Sequence, residues 1–426
     1  MRNKKGVKIF MHEIIQEQVK TKVILVGLNT GEYNAEISMQ ELAELANTAN
    51  CEVVLTVIQT RPAPESATCI GAGKLEEIKE QVKILDAEML IFDTELTGMQ
   101  MRNISDITDC KVIDRTILIL DIFAGRARTA EGKVQVALAQ YKYRLTRLTG
   151  MGTALSRLGG GIGTRGPGET KLETDRRHIR NRIISLEQEL KQMEKHRKFI
   201  TSSRKKNNIL TIAIVGYTNS GKSTLFNLLT EAGVLEENKL FATLDVTARA
   251  LELPDGRSVL LSDTVGFIRR LPHHLVEAFR STLEETAQAD LILHVLDASE
   301  PDIQERMKIT QELLQDLGCA EIPQIHVLNK TDLLDNKIPE KSDFGTVFIS
   351  AKFGNGLDNL IKAILYHLPQ TAKRMKLCIP YGNINFLNQI REEGKIFSEE
   401  YTESGILADI MVDVKYQKKA QDYLVN

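Results

Sequence analysis

The stretch Asn207–Leu229, NNILTIAIVGYTNSGKSTLFNLL, carries the strongest signal for the fold. Its apolar run from Ile209 to Val215 is typical of a buried parallel strand. The next residues, GYTNSGKS, match the phosphate-loop pattern G-x-x-x-x-G-K-[ST] at every fixed position, and leucines at helical spacing follow. Strand, glycine-containing loop and helix in this order predict a nucleotide site. The predicted nucleotide contacts in the loop are Gly216, Tyr217, Thr218, Asn219, Ser220, Gly221, Lys222 and Ser223.

Two side chains of this loop have specific expected roles. Lys222 is expected to reach the β- and γ-phosphates, and the Ser223 hydroxyl is expected to coordinate Mg²⁺. A second glycine turn, GAGK at Gly71–Lys74, is not a nucleotide site. Thr68 replaces the first glycine of the pattern, and Leu75 replaces the required Ser or Thr. It predicts only a turn that opens a helix.

Length and composition limit the class of protein. The chain has 426 residues, 42% of them hydrophobic and 26% charged, with a net charge of −2, which indicates a multidomain globular protein. Its five cysteines are scattered and form no C-x-x-C pair, which argues against a disulfide scaffold or a zinc site. No secretory signal and no apolar run near the roughly 20 residues of a membrane span are present, so we expect a cytoplasmic protein without a span.

Four segments with different patterns predict an α/β multidomain fold. Alternating strands and helices over residues 1–125, including a helix from Ser38 with the capping box SMQE, predict a parallel α/β subdomain. Residues 126–206 contain two amphipathic helices, predicted to form an antiparallel hairpin, joined by a glycine-rich loop over 149–175. The alternation returns at 207–370, the predicted P-loop domain, and a small α+β module follows at 371–426.

The second hairpin helix is strongly basic. Between residues 176 and 206, eleven basic residues stand against three acidic ones, a balance of +8. Beside a cationic glycine-rich loop, this favours nucleic acid over an ordinary solvated face, and the few aromatic residues favour backbone contact with structured RNA. For the loop alone, a flexible linker is an equal alternative. The predicted RNA contacts are Arg157, Arg165, Lys171, Arg176, Arg177 and Arg180.

Two motifs after apolar strands predict a preference for guanine. The carboxylate of Asp332, in the sequence N-K-T-D, can accept two hydrogen bonds from the N–H groups of guanine, whereas adenine offers no such pair. The Ala351 N–H, in the sequence S-A-K, is expected to meet the guanine carbonyl. The predicted base contacts are Asn329, Lys330, Thr331, Asp332, Ser350, Ala351 and Lys352.

Two other motifs are expected to contact the γ-phosphate and the metal. Asp263 ends an apolar strand and is expected to hold Mg²⁺ through water, while the Gly266 N–H senses the γ-phosphate. Thr243 is expected to complete the Mg²⁺ coordination, so Lys222, Thr243 and Gly266 are the predicted catalytic residues. The predicted contacts in these motifs are Phe241, Ala242, Thr243, Leu244, Asp245, Asp263, Thr264, Val265 and Gly266. Four ordered motifs predict GTP binding.

These motifs together resemble the HflX family of translation-factor-class GTPases. The likeness covers nearly the whole chain and includes Asp114–Thr116 (DRT), Ala124–Lys133 (AGRARTAEGK) and Leu158–Lys171 (LGGGIGTRGPGETK). It implies an N-terminal α/β subdomain, a helical hairpin and a GTPase domain, with Ser223 and Thr243 as Mg²⁺ ligands. It also implies binding to the large ribosomal subunit, with the hairpin directed toward the peptidyl-transferase region. Family members are associated with dissociating stalled ribosomes under stress, and some with antibiotic resistance.

Two positions bear on the mechanism. Many related GTPases place Gln directly after D-x-x-G to orient the attacking water, whereas this chain has Phe267. This predicts slow intrinsic hydrolysis that the ribosome accelerates. Asn219 resembles the residue with which some GTPases recruit K⁺ in place of an arginine finger, and a simple turn residue is the open alternative.

The leading hypothesis is a monomeric, Mg²⁺-dependent GTP hydrolase that acts on the large ribosomal subunit. The alternative is a nucleotide-gated RNA-binding factor for ribosome assembly with little turnover. A membrane-associated signalling GTPase is disfavoured, because the sequence has neither a lipidation signal nor a span.

Overall fold

The computed structural model describes residues 20–155, 167–206, 209–230, 240–241, 247–264, 266–270, 286–334, 344–369, 372–393 and 396–425. The chain divides into two compact units, one formed by Met1–Leu96 and Gln100–Arg115, the other by Thr97–Met99 and Thr116–Asn426. Parallel and antiparallel sheets with packed helices confirm the predicted multidomain α/β class. The four-part division of the chain stays a prediction.

The first unit contains a four-stranded parallel sheet in the order β2-β1-β3-β4. Its strands and helices are β1 (Thr21–Asn29), α1 (Ala35–Thr48), β2 (Cys51–Thr60), α2 (Ala72–Leu85), β3 (Met89–Phe92), α3 (Gly98–Thr108) and β4 (Lys111–Asp114). The apolar runs of β1 and β3 are buried, as expected for strands covered on both faces. Helix α1 begins after Asn34, whose side chain accepts hydrogen bonds from the N–H groups of Glu36 and Ile37. The capping residue is therefore Asn34 rather than Ser38.

Three helices follow: α4 (Arg115–Arg126), α5 (Ala130–Leu155) and α6 (Pro167–Lys206). Helices α5 and α6 pack along a seam whose fully buried members are Val134, Leu138, Ile183 and Leu186. These are residues at the helical spacing that the sequence shows on both helices. An ion pair between Arg197 and Glu131, with a distance of 3.0 Å, joins the two helices near the start of α5.

The nucleotide-site sheet has six strands in the order β10-β9-β8-β5-β7-β6, with only β6 antiparallel to its neighbour. The elements are β5 (Thr211–Gly216), α7 (Lys222–Thr230), β6 (Thr247–Glu252), β7 (Ser258–Asp263), β8 (Leu291–Asp297), α8 (Ile303–Asp316), β9 (Gln324–Asn329), β10 (Thr346–Phe348) and α9 (Leu357–His367). Because β5 lies between β7 and β8, its carboxyl end is the switch point where ligands bind in such sheets.

The C-terminal residues form a three-stranded antiparallel sheet in the order β11-β13-β12. Its elements are β11 (Ala372–Ile379), α10 (Ile384–Glu393), β12 (Ile396–Thr402), β13 (Gly405–Asp413) and α11 (Val414–Ala420). Phe386 and Leu387 of α10 and Ala420 of α11 share an apolar core with β11 and β13, which confirms the small α+β module. Throughout the part of the chain that the structure describes, no helix is long and apolar enough to cross a membrane.

Candidate nucleotide site

The phosphate loop connects β5 to α7 and depends on two glycines with positive φ. Gly216 has a φ of +150°, and a Cβ at this position would lie 2.1 Å from the carbonyl oxygen of Val295. Gly221 has a φ of +91°, and its Cβ would lie 2.1 Å from the Asn329 side-chain nitrogen. A side chain at either position would therefore collide with the neighbouring strand or with the base-recognition loop. Both glycines are required by close packing at the carboxyl edge of the sheet.

Lys222 lies at the start of α7, where the helix dipole adds positive potential. Its ammonium group is buried and donates a hydrogen bond to the carbonyl oxygen of Tyr217 at 2.8 Å. Burial lowers the pKa of Lys222 to about 8, although the nearby Asp263 carboxylate acts in the opposite direction. A phosphate group beside this ammonium would raise its pKa again, because the charged form would gain an anionic partner.

The two described residues predicted to serve Mg²⁺ lie side by side. The Ser223 hydroxyl donates to the carboxylate of Asp263 at 2.9 Å, and Asp263 is fully buried at the end of β7. Hydroxyl and carboxylate oxygens are the hard donors that Mg²⁺ prefers. The neighbouring Thr264 hydroxyl instead donates to the Ile214 carbonyl at 2.6 Å, so its side chain joins β7 to β5.

The segment after β7 is paired with the phosphate loop. The Thr218 N–H donates to the Phe267 carbonyl at 2.7 Å, and the Phe267 N–H donates to the Gly216 carbonyl at 3.1 Å. The Phe267 ring is buried in an apolar cluster with Val215. The residue at the position of the water-orienting Gln therefore points into the protein interior, where it has no contact with an attacking water.

The base-recognition loops are tied to the phosphate loop by Asn329. Its side-chain nitrogen donates to the Ser220 carbonyl at 2.9 Å, and its oxygen accepts from the Ala351 N–H at 2.9 Å. The Ser350 hydroxyl donates to Asp332 at 2.5 Å, which orients the carboxylate expected to recognise guanine. The Thr331 hydroxyl donates to the Ile349 carbonyl at 2.9 Å, which joins the N-K-T-D loop to the residue after β10. The structure thus brings the three motifs to one edge of the sheet.

Asp297 supports this edge and was missed in the sequence. It ends β8, and its carboxylate forms an ion pair with the Lys330 ammonium at 2.6 Å. Its other oxygen accepts from the N–H and the hydroxyl of Ser299, at 3.0 and 2.6 Å. Lys330 itself has a left-handed backbone, with a φ of 62°. An acid directly at the end of a mostly apolar strand, as in the case of Asp263, was the signal that could have revealed it.

Of the remaining predicted site residues, Phe241 and Lys352 contact aromatic rings, and several others lie outside the described residues. The Phe241 ring is buried and packs edge-to-face on Phe123, with centroids 4.7 Å apart. The Lys352 ammonium lies 5.3 Å from the centre of the Phe353 ring. Outside the described residues fall Ala242, Thr243, Leu244, Asp245, Val265, Arg157 and Arg165, together with the side chain of Lys171.

Among the predicted RNA contacts on α6, two kinds of environment occur. Arg176 donates to the Leu148 carbonyl at 3.0 Å, so its guanidinium is turned toward α5 and caps a backbone group there. Arg177 and Arg180 are exposed, and Arg180 lies 3.8 Å from the Glu173 carboxylate. Of the three predicted contacts on this part of the helix, Arg177 and Arg180 are therefore the ones exposed to solvent.

Three family models match successive parts of the chain. A model described as "GTP-binding GTPase N-terminal" matches residues 36–124, and "GTP-binding GTPase Middle Region" matches 126–204. A model described as "50S ribosome-binding GTPase" matches residues 211–330, which contain the phosphate loop and the first two residues of the N-K-T-D sequence. The fold, together with the phosphate loop, the N-K-T-D sequence and the S-A-K sequence at one edge of the sheet, defines a P-loop GTPase.

Relatives with known names narrow the class. The GTPase HflX of Caldanaerobacter subterraneus subsp. tengcongensis is 49% identical over 98% of each chain. The GTPase HflX of Escherichia coli is 45% identical, covering 80% of this chain and 82% of that one. The chain belongs to the HflX GTPase family, and it is a GTP hydrolase.

A solved structure agrees with this assignment. The crystal structure of the SsGBP and GDP complex covers 82% of this chain and 99% of its own, with 26% identity and a TM-score of 0.50. The resemblance stated from the sequence is therefore confirmed at the level of the family and of the fold.

Proposed function

We propose that this GTPase binds the large ribosomal subunit and dissociates stalled or idle ribosomes under stress, with hydrolysis stimulated by the ribosome. The observation that carries the proposal is the position of the basic helix α6 in the chain. This helix is 40 residues long and ends at Lys206, immediately before β5 begins at Thr211 and leads into the phosphate loop. Such a helix spans about 60 Å. A contact made along it can therefore bear directly on the nucleotide site.

The charge on α6 fits an RNA partner better than a protein partner. Eleven basic against three acidic residues between 176 and 206 give a field suited to phosphate groups, and Arg177 and Arg180 are exposed to make contacts. The basic segment 176–206 contains few aromatic side chains that could stack on bases. We therefore expect contacts with the backbone of folded ribosomal RNA, and a ribosomal partner would place the protein in the cytoplasm.

Two features support hydrolysis that depends on the partner. Phe267 is buried in the apolar interior, so the chain itself supplies no water-orienting side chain after Gly266. The contact between Phe123 and Phe241 joins α4, which leads into the hairpin, to the residues just before the predicted metal ligand Thr243. A ribosome that shifts α4 or the hairpin would act on this segment through packed aromatic rings.

We propose that Mg²⁺ is held by Ser223 and Thr243 directly and by Asp263 through water. The ion would neutralise charge on the β- and γ-phosphates during hydrolysis. The contact between the Ser223 hydroxyl and the Asp263 carboxylate supports this assignment. For K⁺, Asn219 has a left-handed φ of 60°, which a turn residue adopts readily, so the turn alternative is equally supported. Equal hydrolysis rates in KCl and NaCl would exclude a K⁺ role.

The direct test of the proposed partner is sedimentation with ribosomal subunits in sucrose gradients. The protein should comigrate with the large subunit in the presence of a non-hydrolysable GTP analogue and less so with GDP. The protein remaining at the top of the gradient in every nucleotide state would overturn the proposal. A charge-reversed variant, R177E with R180E, should sediment less with the subunit at unchanged GDP affinity.

A second candidate function, an RNA-binding assembly factor with little turnover, is favoured by the burial of Phe267. Deletion of residues 158–170 separates the two candidates. A splitting factor lacking this segment should still bind the large subunit but fail to dissociate 70S ribosomes. A tethering factor should bind the large subunit equally well with and without this segment, and neither form should dissociate 70S ribosomes.

A further inference from the structure

A group of charged and aromatic side chains next to the phosphate loop has no role in the functions described so far. It contains Tyr217 from the loop, Arg269 from the segment after Gly266, and three residues at the start of α8. The α8 residues are Asp302, Glu305 and Arg306. We call this group the Arg269 cluster.

Tyr217 connects the loop to the segment through its side chain. Its hydroxyl accepts a hydrogen bond from the Arg269 backbone N–H at 2.7 Å, and its ring faces the Arg306 guanidinium at 4.8 Å. The Tyr217 side chain is therefore directed toward α8. The backbone of Tyr217, in contrast, forms the phosphate loop. One residue thus links the nucleotide-binding turn to a helix on the flank of the sheet.

Arg269 anchors the segment from the other side. Its guanidinium pairs with the carboxylate of Asp302 and with that of Glu305, the latter at 3.1 Å. Asp302 also pairs with Arg306 at 3.1 Å, so one carboxylate holds two guanidinium groups. Asp302 directly precedes α8, where the helix dipole favours a negative charge. Because Arg269 is only 9% exposed, loss of its partners would leave a buried charge without compensation.

The contacts of Arg269 and Tyr217 help to fix the backbone position of Gly266. A Cβ on Gly266 would lie 3.0 Å from the Lys222 ammonium and 2.8 Å from the Thr218 methyl group, so the Gly266 backbone packs directly on the phosphate loop. Between Gly266 and Arg269 lies only Phe267, held in the apolar core, and Ile268, also buried. The N–H expected to meet the γ-phosphate is therefore fixed by contacts on both sides.

We propose that Arg269, Asp302 and Tyr217 are positioning residues for GTP hydrolysis. They hold the segment after Gly266 so that its N–H is aligned with the terminal phosphate of a nucleoside triphosphate. A preorganised donor stabilises the developing charge without reorganisation during the reaction, whereas a donor on a loosened segment loses that advantage. GDP has no γ-phosphate, so its binding does not depend on the alignment of the Gly266 N–H.

The test compares single-turnover GTP hydrolysis with GDP affinity in the full-length protein. Arg269→Ala should lower the hydrolysis rate about tenfold to a hundredfold, the scale of a modest misalignment of a reacting group. Its dissociation constant for GDP should stay within about twofold of the wild-type value. Arg269→Lys retains one ion pair with Asp302 and should restore part of the rate. Asp302→Asn should fall between the wild type and Arg269→Ala.

Arg257 offers a matched control in the same unit. It is also buried and paired, with the Asp255 carboxylate at 2.7 Å and with the Pro369 carbonyl at 2.8 Å, but it lies at the turn between β6 and β7. Arg257→Ala should lower the thermal stability and leave hydrolysis per folded molecule unchanged. Wild-type hydrolysis in Arg269→Ala would overturn the proposal, as would an equal loss of GDP binding and hydrolysis. Tyr217→Phe removes only one hydroxyl, so it keeps the test decisive if Arg269→Ala fails to fold; a wild-type rate in this variant would also contradict the proposal.

Discussion

The four-stranded parallel sheet and the mainly parallel six-stranded sheet differ in what surrounds the carboxyl ends of their strands. At the edge of the first sheet, the Arg115 guanidinium pairs with the carboxylates of Glu41 and Asp93, the latter at 2.9 Å. The Ser38 hydroxyl donates to the same Asp93 carboxylate at 2.7 Å, and the Leu96 N–H donates to Asp114 at 3.0 Å. The charged groups of this edge are therefore paired with one another within the chain.

The edge of the six-stranded sheet is organised for a ligand. Its phosphate loop leads into the buried ammonium group of Lys222, and its carboxylates are oriented by Ser223 and Ser350. The two glycine turns show the same difference. Gly71 opens α2 and its N–H is already bonded to the Gln59 side chain at 2.8 Å, as the sequence predicts for a turn that is no nucleotide site. Parallel-sheet architecture alone therefore does not define a binding site.

The largest expected effect concerns the self-paired edge. Arg115→Ala should destabilise the first unit by about 3–5 kcal/mol, because it leaves two buried carboxylates without their cation. Urea denaturation followed by circular dichroism should show this as an early transition. GDP affinity at the other sheet should be unchanged. A parallel loss of GDP affinity would show that the two edges are not independent.

The next effect concerns the lysines of the two glycine turns. Lys222→Ala should lower GTP hydrolysis about a hundredfold to a thousandfold, the range for loss of one preorganised donor to the reacting phosphate. Lys74→Ala, in the turn that opens α2, is the matched control and should have the wild-type rate, since Lys74 only pairs with Glu77 on the surface. Similar losses in both variants would refute the distinction between the turns.

Guanine recognition should fail when the oriented carboxylate is changed. Asp332→Asn replaces a charged acceptor with an amide that offers one acceptor and one donor. The loss of hydrogen bonds to a charged group, about 1.5–3 kcal/mol, should raise the dissociation constant for GDP roughly tenfold to a hundredfold or more. Competition between GDP and xanthosine diphosphate, measured by calorimetry, would check this. Undiminished preference for GDP would remove Asp332 from base recognition.

A smaller effect is the loss of stability that the second unit should show at acidic pH. Burial lowers the pKa of His294 to about 3, with His326 and Lys222 acting in the same direction. Since the unfolded histidine titrates near 6.5, the unfolded state binds the proton first, and stability is lost as the pH falls from about 6.5 toward 3. At pH 5 the loss should be about 2 kcal/mol in the second unit. Urea denaturation at pH 7.5 and 5.0 would measure it.

The matched variant for this effect is His294→Leu. It removes the titrating group from a fully buried position on β8 and should abolish most of the acid sensitivity. An unchanged pH dependence in this variant would assign the effect to another group.

Local sequence signals predicted the elements whose burial pattern is regular. The apolar residues Met89–Phe92 form β3, one of the strands in the predicted alternation, and the apolar residues at helical spacing on α5 and α6 form their shared seam. The predicted start of α1 at Ser38 was wrong, because Asn34 is an equally good capping residue and the helix begins after it. The Ser38 hydroxyl is taken by Asp93, 55 positions away, and no local pattern reveals such a contact. Helix α3, Gly98–Thr108, was not among the predicted elements.

The site was predictable to the extent that its motifs are contiguous. Asp332 and Lys222 follow strands in fixed patterns, so their roles could be read from spacing. The position of Asp297 at a strand end was visible in the sequence, but its role was not, because that role comes from an ion pair with Lys330 across the edge of the sheet. The orientation of the Tyr217 side chain toward Arg269 likewise depends on a contact between segments 52 positions apart. Such contacts arise from tertiary packing and have no signature in either segment alone.

The most direct test of ribosome-dependent hydrolysis is to measure the GTP hydrolysis rate with and without purified large ribosomal subunits. The burial of Phe267 leads us to expect slow hydrolysis by the protein alone and an increase of at least an order of magnitude when the subunit is bound. A variant lacking residues 158–170 should show less stimulation at the same basal rate. Equal rates for the free protein and its complex with the large subunit would contradict the proposed dependence on the ribosome.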